Sequence, residues 1–344
     1  MHTFLDESGS FAFSSGGKPS ICCVSALTVS ERDLQAVLGG FDRIVSGWKL
    51  GEAEPKGSQL SERQVDRVLT FLGNFDVVVN IASIDMGQHT ESDIEAHKRG
   101  QAQKIRTSTQ GPEYKDSKES LHRSVRELAD RVEAVSNPLY VQSVLLTQAI
   151  GRAFRSGELH YAQTQPKALG SFTWRLDAKD TKRTAYEQTW ADIVKPILQT
   201  ISLRGDHVVV TEFDYSAMAP FERPELTEPP AHLVKGMPRG ARGGHFRSVD
   251  LRKIFADLAF EDSHGNRGLQ LADILGNAFK RALSGNLGER GWRRFGRLLV
   301  QDFRGESVIY VTLRPPSGPV PTIANLPYAE VARRFCSEAR HWEV

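Results

Sequence analysis

Hydrophobic positions along this chain fall into short apolar runs and longer amphipathic stretches. "HTFLDES" (2–8) and "ICCVSALTV" (21–29) are runs rich in β-formers and predict two strands. "SSGGKPS" between them supplies turn chemistry, with Gly16 and Gly17 free to take positive φ. Ser30 fits an N-cap for a helix through "ERDLQAVLGGFDRIVSGW", and after the loop "GEAEPKGSQ" (51–59) Ser61 fits one for a helix over about 62–73. "FDVVVNIASID" (75–85) is a third strand. Residues 88–120 are polar and charge-dense and read as a peripheral or mobile stretch, helical in part. "KESLHRSVRELADRVEAVS" and "PLYVQSVLLTQAIGRAFRSG" carry helical apolar spacing, with Pro138 in the first turn of the second.

Further on, "SFTWRLDA" (171–178) predicts a fourth strand. "TAYEQTWADIVKPILQTI" predicts a helix kinked at Pro196, and "HVVVTEFD" (207–214) a fifth strand. Residues 215–248 are rich in Pro, Gly and charge and read as an irregular insertion. "KIFADLAFEDS" resumes a strand and "GLQLADILGNAFKRAL" is a helix. The tail adds a basic helix around "RGWRRFGRLL", a strand "SVIYVTL" and a short last helix. Hairpin-linked strands first and crossover units later predict an α/β protein with a mixed sheet flanked by helices.

Composition narrows the function classes. The 344 residues are 40% hydrophobic and 25% charged with a net charge of only +2, so any nucleic-acid binding must come from local basic patches. The three cysteines, Cys22, Cys23 and Cys336, form no C-x-x-C pair, which argues against a zinc knuckle or a thioredoxin-like site. There is no signal-peptide pattern and no apolar stretch of membrane-spanning length, so no membrane partner and a cytoplasmic location are expected.

Carboxylates stand where apolar residues belong. Asp6 and Glu7 end the first strand. Successive strand side chains face opposite ways, so only one of the pair faces a given site, and Asp6 is the preferred one. Asp177 ends the apolar-aromatic strand "FTWRLD" in the same manner, with Asp180 just beyond it as a weaker candidate. Asp273 lies beside the stripe Leu271, Ile274, Leu275 and Ala278, sharing a helix face with Gln270 and Asn277. A charge that near a core is costly unless paired or bound to metal. The ordinary alternatives are turn caps at Asp6 and Asp177 and a distant arginine partner for Asp273. Taken together, the three suggest one acidic cluster, and clustered carboxylates ask for Mg²⁺ or Mn²⁺.

Other signals weigh less. "SSGGKPS" lacks the spacing of a phosphate-binding loop. Ser8 has no histidine placed by sequence to activate it. His264 reads as a loop residue near the Asp273 helix. Lys235, Arg239, Arg242 and Arg247 lie among glycines in a segment suited to a phosphate backbone. Arg290, Arg293, Arg294 and Arg297 alternate with Trp292 and Phe295, which read better as core contacts.

"FLDESG" (4–9), "EPKGSQL" (54–60), "RLD" (175–177) and "LQLADILGNA" (269–278), in that order, resemble the bacterial domain-of-unknown-function 3800 family. The resemblance covers about residues 1–285. It implies a ribonuclease H-like domain over 1–285 with insertions at about 88–160 and 215–248, and an extension, 286–344, packed on it. It also implies that Asp6, Asp177 and Asp273 hold two Mg²⁺ or Mn²⁺ ions, with Glu7 or Glu54 completing the catalytic set. "EPKGS" matches the family's acidic-x-Lys-x-Ser pattern, so Lys56 would contact a phosphate and Ser58 would support the loop. Gln270, Arg239 and Arg242 join them as substrate-binding residues. The implied activity is two-metal hydrolysis of DNA or RNA phosphodiesters, in phage defence or mobile elements. A non-catalytic nucleic-acid- or protein-binding module and a hydrolase of small phosphorylated substrates are the alternatives. A homo-oligomer or a protein partner is left open.

Overall fold

The computed structural model describes residues 1–13, 19–48, 54–110, 119–178, 184–202, 210, 212–223, 249–301, 305–314 and 323–341. Its centre is a six-stranded mixed sheet. The strands are β1 (His2–Ser8), β2 (Ile21–Val29), β3 (Val78–Asp85), β4 (Thr173–Asp177), β5 (Asp257–Glu261) and β6 (Ile309–Tyr310), in spatial order β5-β4-β1-β2-β3-β6. β1, β2 and β3 run antiparallel in succession. β4 is parallel to β1 and β5 to β4, while β6 pairs parallel with β3.

Every residue of β2 and β3 is buried, because helices cover both faces. On one face, Leu5, Val24, Ala26 and Val78 pack with the long helix α5 (Asn137–Thr164). On the other, Leu27, Val29, Val79 and Ile81 pack with α1 (Glu31–Ser46), α2 (Glu62–Leu72) and α8 (Arg267–Leu283). The caps read from sequence are present: the Ser30 side chain accepts from the Asp33 amide, and Ser61 forms a capping box with Gln64.

Several expectations are corrected. Of the strand expected over 207–214, residues 212–213 form a turn and 207–209 and 211 lie outside the described residues, while "KIFADLAFEDS" does supply a strand, Asp257–Glu261, the fifth in the chain. Its alternation is less apolar than "HVVVTEFD", but it lies beside β4. Residues 88–120 are not merely peripheral. They contain α3 (Glu91–Thr107), which buries Ile94, Lys98 and Ala102 and packs on α4 (Glu119–Ala134). Lys98 can be buried because its ammonium donates to the Val135 carbonyl and to Asn137 Oδ1, both at 3.0 Å. The helix expected over 184–201 is present, with a π-turn just ahead of Pro196: α6 (Ala185–Thr189) runs through Trp190–Val194 into α7 (Lys195–Ser202). The wider turn lies where proline would collide with the carbonyl four residues back. The basic tail helix shrinks to Glu289–Trp292 and a 3₁₀ turn, Gly296–Leu298, with Trp292 and Phe295 buried in the core. The strand expected over 307–313 shortens to β6. Of the insertion expected at 215–248, residues 216–221 form a 3₁₀ turn and 224–248 lie outside the described residues.

Candidate active site

Strand alternation decides which carboxylate faces which layer. Phe4 packs on Leu269 and Ala272 of α8, while Leu5 belongs to the α5 layer. Asp6 therefore lies on the α8 face and Glu7 on the α5 face. On β4, Trp174 and Leu176 pack into the α5 layer, which puts Asp177 on the α8 face. The parallel register pairs Leu5 with Leu176, so one step further Asp6 stands beside Asp177. Ser25 of β2 anchors α8 above them, its hydroxyl 2.7 Å from the Ala272 carbonyl and 3.2 Å from that of Asp6.

Asp273 follows Ala272 and is buried. Its Oδ2 accepts the Gly57 N–H at 2.6 Å and its Oδ1 accepts from Asn277 Nδ2 at 2.7 Å. Burial pushes the Asp273 carboxyl above its ordinary pKa. The Gly57 N–H and Lys56 oppose that shift, while Glu54 and Asp177 add to it. The "EPKGS" loop thus meets Asp273 across the fold. Arg281 holds the loop down, donating to the Gly57 carbonyl at 3.0 Å and to that of Leu60 at 2.8 Å. The Lys56 ammonium stands 2.6 Å from Glu54 Oε2. Burial lowers the Lys56 pKa, but Glu54, Asp273 and Asp177 outweigh it and hold the group above its ordinary value. Four of the residues expected at the site, Glu54, Lys56, Asp177 and Asp273, therefore interact electrostatically, and Asp6 lies beside Asp177.

The remaining expected residues fall elsewhere. Glu7 accepts from Gln142 Nε2 of α5 at 2.8 Å and hydrogen-bonds the buried Tyr186 phenol, whose pKa is raised by burial and then by Glu7. Gln270 is fully buried with its amide engaged. Its Nε2 donates to the Ser263 and His264 carbonyls at 2.8 and 3.0 Å, and its Oε1 accepts from Arg267 at 2.7 Å. It shapes the turn before α8 and offers no group to a substrate. Ser58 is exposed at the loop surface, and His264 is exposed in the 3₁₀ turn Ser263–Gly265. Arg239, Arg242 and Asp180 lie outside the described residues. Sequence reasoning missed Gly57 and Arg281 as supports. Gly57 carried a signal, since a glycine inside a charged motif often marks a close backbone approach.

Among the described residues, no three His, Cys, Asp or Glu side chains stand close enough together to hold one metal ion as they are arranged here. No helix among them is long and apolar enough to cross a membrane. No family model matches the chain, and neither a curated protein nor a solved structure does.

Proposed function

We propose that this chain is a metal-dependent nuclease of ribonuclease H-like fold, related to the domain-of-unknown-function 3800 family and hydrolysing DNA or RNA phosphodiesters. The observation that carries this reading is that Asp6, Asp177 and Asp273 all face the layer between the sheet and α8. Three antiparallel strands followed by two parallel to the first support the fold assignment.

The donor set suits a hard cation, because every candidate ligand is a carboxylate oxygen. Glu54 Oε1 is a buried oxygen with no hydrogen-bond partner among the described residues, as expected of a group whose partner is an ion. Asp6, Asp177 and Asp273 would hold Mg²⁺ or Mn²⁺, with Glu54 as the fourth carboxylate. The chemistry such ions supply is Lewis-acid activation of water and charge stabilisation at the leaving oxygen. The chain's own residues do the rest. Asn277 and the Gly57 amide fix the Asp273 carboxylate, Arg281 fixes the loop, and Lys56 presents a positive charge to a phosphate. Arg239 and Arg242 would bind the strand backbone.

Labelled DNA and RNA incubated with Mg²⁺ or Mn²⁺ test this reading. Cleavage is expected to vanish with EDTA and to fall by roughly a hundredfold or more in Asp6→Asn and Asp273→Asn. Undiminished cleavage in both variants would sink the assignment. A non-catalytic nucleic-acid-binding module is the second reading, favoured by the Lys56–Glu54 ion pair, which already offsets part of the negative charge. Nucleic-acid affinity without any Mn²⁺ binding in calorimetry would decide for it.

A further inference from the structure

Building on the nuclease reading, we propose that Lys56 is an internal counter-cation of the carboxylate layer, which a divalent ion displaces from Glu54 as it binds. Asp273 is buried and accepts from the amide of Gly57, the residue next to Lys56, and Glu54 lies on the same loop, so negative charge is concentrated around Lys56. The ammonium of Lys56 offsets it, 2.6 Å from Glu54 Oε2.

The two partners differ in their freedom to move. The Glu54 side chain is 11% exposed and that of Lys56 46% exposed, so the ammonium can turn into solvent while Glu54 stays in place. The loop backbone does not need to follow. Gly57 is tied to Asp273, and Arg281 holds the carbonyls of Gly57 and Leu60. The rearrangement is therefore confined to one flexible side chain.

Two further groups are poised for an ion and its water. Glu54 Oε1 and the Ser8 hydroxyl are both buried without a hydrogen-bond partner among the described residues. Ser8 is 4% exposed and lies one pleat beyond Asp6 on the same face of β1, close to Gly276 of α8. Once Lys56 leaves, Glu54 offers both oxygens. The released ammonium stays tethered beside the layer, where a substrate phosphate would meet it.

Mn²⁺ titration calorimetry and thermal melts of wild type, Lys56→Gln and Lys56→Arg test the exchange. Lys56→Gln is expected to bind Mn²⁺ about five- to ten-fold more tightly than wild type, since a competing ion pair is gone. Lys56→Arg keeps the charge and is expected to bind like wild type. In EDTA, Lys56→Gln is expected to melt below wild type, and saturating Mn²⁺ to close that gap. Wild-type binding with equal or weaker affinity in Lys56→Gln overturns the exchange and leaves the metal reading standing. No Mn²⁺ binding by any of the three overturns both.

Discussion

At Gly57 the backbone passes so close to α8 that a Cβ would lie 2.7 Å from the Ile274 Cα and 2.9 Å from the Asp273 carbonyl oxygen. Both neighbours are backbone atoms of a packed helix and cannot yield. Gly57→Ala is therefore expected to lose about 1–3 kcal/mol in urea denaturation, the range for overpacking a tight contact. It should also lengthen the 2.6 Å bond from the Gly57 amide to Asp273, weakening Mn²⁺ binding in the same calorimetric assay. Asp6 and Glu7 show how far single residues can be read in advance. Strand alternation separates them, and alternation is a property of the backbone alone. The partners of Glu7, Gln142 and Tyr186, come from segments more than a hundred positions away and leave no local trace. Gln270 shared a helix face with Asp273 in sequence, yet its amide is taken up by the turn preceding α8.

Elements obey the same division. The periods of α1, α2, α5 and α8 and the caps of α1 and α2 were legible because each follows from a local pattern. The packing of α3 was not legible, since its polar sequence hides a narrow buried stripe and a buried lysine. A histidine ties down the segment that follows the edge strand β6. His89 Nε2 lies 3.0 Å from the Leu313 amide, and Nδ1 lies 2.8 Å from the Asp85 carbonyl. Nε2 must accept and Nδ1 must donate, so the ring is neutral. Burial, aided by Arg314, holds its pKa below the ordinary histidine value. The folded value then lies below the unfolded one. The stability this contact contributes is present above the unfolded pKa, near 6.5, and is lost as pH falls below it. Urea melts from about pH 8 to about pH 5 should show that loss in wild type, and a shallower loss in His89→Gln, which carries no titrating ring. Parallel pH profiles for the two would refute this role.

The whole molecule is two apolar layers separated by one sheet, and the C-terminal segment seals one of them. Phe335, in α9 (Ala329–Ser337), stacks on Phe279 of α8 with ring centroids 5.5 Å apart and meets Phe295 at 5.1 Å and Trp292 at 5.6 Å. Phe335 is fully buried, so Phe335→Ala is expected to cost about 3–5 kcal/mol, measured by denaturant unfolding. The layer it closes contains α8, which also carries Asp273. A loss below about 1 kcal/mol would mean the tail is dispensable to the core. By itself the sequence determined the periods, the caps of α1 and α2, the mixed α/β class and the opposite facing of Asp6 and Glu7, because these depend on neighbours within a turn or a pleat. Tertiary structure alone decided the π-turn before Pro196, the pairing of Lys56 with the field of Asp177 and Asp273, and the seat of Asp273 on an amide 216 residues away. Such contacts arise from loop closure and shape fit between distant segments, which no local pattern encodes.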